Sequence, residues 1–185
     1  MKEFISYILQ FGSLSQEQID FISSKAIILD LNKEEYFWEA GKTPKYIGFL
    51  TEGVIRVCYY SNQGEEVTRY FIDENNLIIE SENFEPTIYL QAETNCKLIA
   101  FSKPDWSEFS QTIVSWDNII NKIVQKTLIQ KLQKRSSLIE QDATARYLAF
   151  IEKFPNIANR VPLAHIASYL GITQSSLSRI RKNSH

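Results

Sequence analysis

The sequence predicts an α+β chain: an N-terminal antiparallel β-roll of the jelly-roll-like barrel type with flanking helices, a long central helix, and an all-α C-terminal unit. Three observations predict it. Short runs rich in Ile, Val, Tyr, Phe and Thr follow one another between Ile27 and Phe101, the apolar period turns helical from about Trp106, and charge divides between the two regions. Residues 1–119 carry 9 Lys and Arg against 19 Asp and Glu, a balance of −10, whereas residues 120–185 carry 11 against 3, a balance of +8. The net charge of −2 conceals this opposition. One end of the molecule suits a polyanion and the other does not.

The 185 residues suffice for a domain of ordinary size and a small one, with a core that needs no covalent staples. The opening "MKEFISYILQFGSLSQEQIDFISSKA" is helical by its spacing of Phe4, Ile5, Ile8 and Leu9, and Ser15 with Gln18 predicts a capping box before a second helix. From Ile27 the segments "IILDL", "YIGFLTEGVIRVCYY", "EVTRYFI", "TIYLQAE" and "KLIAF" are strand-like, separated by turn signals at "EAGKTP", "EGV" and "SNQGEE". Strands at this spacing indicate an antiparallel sandwich or barrel. There is no βαβ rhythm and no phosphate-binding glycine loop, which excludes the common nucleotide-binding α/β enzymes.

From Trp106 to Arg135 the chain holds no Pro or Gly, and Ile113, Trp116, Ile120, Ile123 and Val124, then Leu128 and Leu132, form an apolar stripe. Its persistence predicts a dimer seam; a helix lying on its own barrel is the alternative that the spacing leaves open. "ATARYLAFIEKF" predicts a further helix ending before Pro155, with Tyr147, Leu148 and Ile151 on one face. In "VPLAHIASYLGITQSSLSRIRKNSH", Pro162 suits a first helical turn, Gly171 a helix end, and Thr173 the cap of a second helix. Ile166, Ala167 and Leu170 would share a small core with Leu177 and Ile180, which is the spacing of a helix-turn-helix.

The second of these helices carries Arg179, Arg181 and Lys182 and no acid. In a helix-turn-helix it would lie in the major groove. Gln174, Ser175, Ser178 and Arg179 would then face base edges, Arg179 matching guanine and Gln174 adenine. Arg181, Lys182 and Ser176 would meet the backbone, and Thr173 would cap a helix start that favours phosphate. His165, on the first helix, is expected to be exposed or to touch a phosphate.

These residues resemble the CRP/FNR superfamily of bacterial transcription regulators, in particular the short forms of Bacteroidetes. The resemblance spans essentially the whole chain and is strongest over residues 138–182 and in "EAGKTPKYIGFLTEGVIRVCYY" and "NQGEEVTRYF". It implies a cyclic-nucleotide-binding-like sensor over residues 1–110, a dimerisation helix over 111–136 and a DNA-binding domain over 137–185. It further implies a homodimer on a two-fold-symmetric operator in double-stranded DNA, with RNA polymerase as a further partner. Members that bind cyclic nucleotides carry a Gly-Glu pair for the ribose and an Arg for the phosphate. Here Glu80 is the weak candidate for the glutamate, no Gly precedes it, and no Arg or Lys lies between Phe84 and Cys96. A buried phosphate would lack its charged partner and would meet Glu80, Glu82 and Glu85, so cyclic AMP is not the expected effector. Tyr59, Tyr60, Tyr70, Phe71, Phe84 and Tyr89 are expected in the core more than around a ligand.

Cys58 and Cys96, with His165 and His185, are too few for a zinc, haem or iron–sulfur site, so no cofactor is expected. The roll has no histidine, and its clustered glutamates lack a metal or matched base, which argues against an enzyme. Neither a signal peptide nor a spanning run is legible, and a cytoplasmic location is expected. A small-molecule-binding or protein-interaction module whose terminal helices do not read DNA is the competing reading.

Overall fold

The computed structural model describes residues 1–79, 87–139 and 142–183. Glu80, Glu82, Phe84 and Glu85 lie outside the described residues.

Helices α1 (Lys2–Ile8) and α2 (Gln16–Lys25) open the chain. The capping box is present: Ser15 Oγ accepts from the Gln18 amide at 3.2 Å, and the Ser15 amide donates to Gln18 Oε1 at 2.9 Å. Eight strands follow: β1 (Ile27–Leu31), β2 (Tyr36–Trp38), β3 (Tyr46–Glu52), β4 (Ile55–Tyr60), β5 (Glu66–Ile72), β6 (Asn76–Ile78), β7 (Tyr89–Ala92) and β8 (Cys96–Ser102). They form two four-stranded antiparallel sheets, sheet A in the order β1-β8-β3-β6 and sheet B in the order β2-β7-β4-β5. This corrects the expected barrel: among the described residues the strands form two sheets and no closed barrel. Strands β2 and β6, three residues each, were not foreseen.

Three apolar layers hold the architecture together. Between the sheets lie Trp38, Leu50, Ile55, Val57, Leu90, Leu98 and their neighbours, with Tyr59 and Tyr70 packed at the margin. The outer face of sheet A offers Phe49, Ile99 and Phe101 to Phe4 and Ile8 of α1, Ile22 of α2, and the helices that follow β8. The outer face of sheet B offers Phe71, and the adjoining turn Val54, to the C-terminal helices. Central strands β3 and β4 therefore bury both faces, which is why they read as continuous apolar runs.

The predicted helix from Trp106 to Arg135 is two helices, α3 (Lys103–Thr112) and α4 (Trp116–Ile139). Thr112, Ile113, Val114 and Ser115 are all weak helix formers, and Ile113 leaves the helical region with φ −106° and ψ 101°. Its side chain, with those of Trp116, Ile120 and Ile123, packs into the layer over sheet A. These four residues, expected at a dimer seam, are 1%, 0%, 9% and 2% exposed. They face their own chain; Val124 and Leu128 of the expected stripe stay in water, 38% and 55% exposed.

Gly53 turns β3 into β4 with φ +105°, and a Cβ there would stand 2.5 Å from Cys96 Sγ and 2.7 Å from the Asn95 carbonyl oxygen. Gly53→Ala is expected to cost about 2–5 kcal/mol, the sum of a left-handed backbone and an overpacked contact. Gly64→Ala, at φ +79° with open space around it, should cost only about 1–2 kcal/mol from the backbone. Urea midpoints of the two variants check this, and equal losses would sink the steric part of the argument.

Candidate nucleic-acid interface

Three helices make up the C-terminal unit: α5 (Ala143–Lys153), α6 (Leu163–Leu170) and α7 (Gln174–Asn183). Asp142 caps α5, its carboxylate accepting from the Ala145 amide at 2.8 Å. On α5 the buried residues are Tyr147 and Phe150; Leu148, expected inward, is 45% exposed, because the face that meets sheet B is set by the 147/150 spacing.

The turn between α6 and α7 is built as its residues dictate. Gly171 takes φ 66°, its amide donates to the Ser168 carbonyl at 3.1 Å, and the Ile172 amide donates to the Ala167 carbonyl at 3.0 Å. That pairing satisfies the last carbonyls of α6 and reverses the chain. Thr173 Oγ1 then accepts from the Ser176 amide at 3.2 Å and caps α7. Ile166, Ala167, Leu170 and Leu177 are buried together, with Ile180 partly buried against them.

Fixing Leu177 inward fixes what α7 turns outward. Thr173, Gln174, Ser175, Arg179 and Lys182 are exposed, and Ser176, Ser178 and Arg181 half-buried. The Ser176 hydroxyl is taken up locally, accepting from Thr173 Oγ1 at 2.9 Å, which leaves Gln174 and Arg179 as the freest donors of the first turns. Arg179, with Ser176, Ile180 and Asn183, borders a shallow groove of about 420 Å³ whose other wall is Ala143 and Thr144 at the start of α5. The face is cationic, without an acid between Gln174 and Asn183.

His165, expected to be exposed or to touch a phosphate, is half-buried against the roll. Its Nδ1 lies 2.7 Å from Glu93 Oε1, at the seam where the helical unit meets sheet B. The seam also holds Arg56 and Glu66. Arg56 Nε is 2.6 Å from the same Glu93 oxygen, and Arg56 Nη2 donates to Glu66 Oε1 at 2.8 Å and to Gln91 Oε1 at 2.6 Å. Among the described residues the buried polar side chains are Arg56, Glu93 and Thr68, all in this seam. Farther along, Arg160 Nη2 lies 2.7 Å from Glu74 Oε1, the Thr68 amide donates to Ser168 Oγ at 2.9 Å, and Phe71 packs on Phe150 and Tyr169.

The charges respond accordingly. The hydrogen bond from Arg56 holds Glu66 below the usual carboxylate range. Burial alone would raise Glu74, but the Arg160 hydrogen bond and backbone amides bring it below that range. Burial pushes the Cys58 thiol, beside Arg56, up to about 11, so it is a neutral, buried thiol like Cys96. Sequence reasoning missed this ionic seam because its members are scattered from Arg56 to His165. The available signal was Arg56 itself, a cation inside the apolar run "VIRVCYY".

Among the described residues no three His, Cys, Asp or Glu are grouped to hold a metal, and no helix is long and apolar enough to cross a membrane. No protein-family model and no curated protein matches the sequence. Solved structures do match in fold. FixK2 from Bradyrhizobium japonicum superposes with a TM-score of 0.75 at 15% identity, over 85% of this chain and 83% of that one. A protein from Eubacterium rectale described within the CRP/FNR family of transcriptional regulators gives 0.72 at 15% identity, over 92% and 83%. The c-di-GMP-responsive global regulator CLP of Xanthomonas campestris gives 0.68 at 16% identity, over 91% of each chain. The chain thus has the fold of CRP/FNR-type regulators.

Leu177, fully buried, carries α7, whereas exposed Arg179 carries none of its packing. Leu177→Ala is expected to remove about 2–5 kcal/mol of stability, and Arg179→Ala less than about 0.5 kcal/mol. Chemical denaturation followed by circular dichroism measures both.

Proposed function

We propose that this chain is a homodimeric, sequence-specific DNA-binding transcription regulator of the CRP/FNR type, and not an enzyme. The observation that carries the reading is α7: an acid-free helix, seated by Leu177 after a tight turn on α6, that leaves Gln174, Ser175 and Arg179 in water. The fold shared with CRP/FNR-type regulators supports it.

In this reading α6 and α7 are the helix-turn-helix of a DNA-binding domain over residues 137–185. Arg179 and Gln174 read bases, with Ser175 and Ser178 beside them. Arg181, Lys182 and the capped start of α7 at Thr173 and Ser176 hold phosphates. Residues 1–110 form the sensor, and the stretch 111–136 links it to the reader. Cyclic AMP is not its effector, since no Gly precedes Glu80 and no cation lies between Phe84 and Cys96. The second copy binds on the outer side of α4, where Val124 and Leu128, one turn apart, and Ile129 beside them are 38%, 55% and 54% exposed. Water-facing aliphatic side chains in register along one helix suit a matching helix. RNA polymerase is a further partner of such a regulator.

Two measurements test this. Selection from random duplexes at low and near-physiological salt should enrich a two-fold-symmetric motif. Arg179→Ala should weaken binding to that motif by about 1–3 kcal/mol and relax one position, while Lys182→Ala should lower the salt slope by about one without changing the motif. No enrichment at either salt would refute the reading. In sedimentation velocity the native chain should run as a dimer and Leu128→Glu as a folded monomer; a native chain that stays monomeric at tens of micromolar would refute the seam.

A further inference from the structure

Helix α6 packs on β5, at one edge of sheet B, and away from that edge three tyrosines gather on the same sheet. They come from three adjacent strands: Tyr36 from β2, Tyr89 from β7 and Tyr60 from β4. The ring centroids of Tyr36 and Tyr60 each lie 5.6 Å from that of Tyr89, with planes inclined at 55° and 90°. Such contacts help to pair the strands, but perpendicular rings also leave a corner bounded by two ring faces. Water reaches it, since Tyr36 and Tyr60 are 38% and 52% exposed. Glu66 stands directly opposite Tyr60 in the β4–β5 register. Its Oε1 accepts from Arg56 and Cys58, and its Oε2 makes no hydrogen bond among the described residues. The charge of Glu66 is the main cause that raises the Tyr60 hydroxyl above its ordinary value; burial, then Tyr60, Cys58 and Glu66, raise that of Tyr36. Both hydroxyls therefore lie in the field of one carboxylate. Arg56 does not cancel it, being shared between Glu66 and Glu93.

We propose that Tyr36, Tyr60, Tyr89 and Glu66 form a binding site for a small quaternary ammonium ligand of the trimethylammonium class. The negative faces of aromatic rings attract a cation, tyrosine among the better of them. A trimethylammonium group carries its charge on methyl groups and has no N–H, so ring faces satisfy it without a hydrogen-bond acceptor. A primary ammonium or a guanidinium needs several acceptors, and an anion would meet the Glu66 charge. The half-exposed corner suits a compact head group more than a long apolar chain. Glu66 lies two positions before Thr68 on β5, and the Thr68 amide donates to Ser168 Oγ of α6 at 2.9 Å. An occupant beside Glu66 would thus adjoin the place where the helical unit meets the sheet. That this bears on the DNA-reading face rests on the function proposed above; the binding site does not.

Choline is the probe. Titrated into the full chain without DNA and followed by NMR at the Tyr60 and Tyr89 amides, against sodium chloride of equal ionic strength, it should give a saturating shift. A Kd of about 1 mM is the scale that a few cation–π contacts supply. The neutral carbon isostere of choline, with a tert-butyl group in place of trimethylammonium, should bind at least about tenfold more weakly. Tyr60→Phe keeps the ring face and should bind within about twofold of the native chain, whereas Tyr60→Ala should lose about tenfold. Tyr60 is half in water, so its loss leaves the core intact; Tyr36→Ala takes its place if that variant fails to fold. No saturating shift at about twentyfold the expected Kd overturns the site. Equal binding of the neutral isostere, or undiminished binding by the folded alanine variant, overturns it as well. Phosphatidylcholine vesicles that retain the chain when free choline does not bind would overturn the small-ligand assignment. A chain that reads no DNA would still bind choline, and a DNA reader that binds none would refute this proposal alone, so the two fail separately.

Discussion

Arg56 is a guanidinium withdrawn from water in the middle of an apolar strand, and the arrangement of the C-terminal half follows from what it requires. A buried cation is tolerable only with carboxylates and hydrogen-bond acceptors at contact distance. Glu66, Gln91 and Glu93 supply them from β5, β7 and the turn after β7. Gathering these groups leaves the outer face of sheet B ionic at one end and apolar at Phe71 and Val54. That face must be covered, and α5 and α6 cover it. Ion pairs of this kind add little net stability, since desolvation offsets attraction. They tie β4 to β5 and β7; across the seam His165 meets Glu93 and the Thr68 amide donates to Ser168, while Phe71, Phe150 and Tyr169 supply the adhesion.

Much of the fold was legible because it is local. The capping box at Ser15, the Gly171 turn and the Thr173 cap each depend on residues within a few positions of one another, and all are in place. The long strands were legible from composition. Strands β2 and β6 were not, because three residues carry no period and their pairing is decided by distant neighbours, β2 meeting β7 across an irregular register. Closure of a barrel is also non-local: the same alternating strands serve two stacked sheets as well as one closed sheet.

The stripe from Ile113 to Leu128 shows the limit of periodicity in another way. A period states that a face is apolar; it does not state what covers it. Ile113, Trp116, Ile120 and Ile123 meet Phe109 and the outer face of sheet A, and Val124 and Leu128 diverge from that face toward water. The break at Ile113 lay in four consecutive weak helix formers, a weaker signal than a Pro or Gly. The candidate site was legible for a related reason: a helix seated by Leu177 has its outward residues determined by geometry alone. The ionic seam showed in the sequence only as Arg56, a cation in an apolar run, since its partners are scattered as far along the chain as His165.

Helix α6 is where these two parts of the molecule join. One face of it, Ile166, Ala167 and Leu170, is shared with α7, and its other side, His165, Ser168 and Tyr169, rests on sheet B. Nothing needs to travel through the protein as a chain of small adjustments. A change in how α6 sits on the sheet would carry α7 with it, because the two helices share one buried core of Ile166, Ala167, Leu170 and Leu177. Most of the adhesion at that seam is apolar, from Phe71 against Phe150 and Tyr169. If the chain is the two-fold DNA reader proposed above, a small rotation of each copy of α7 would be doubled between the two half-sites.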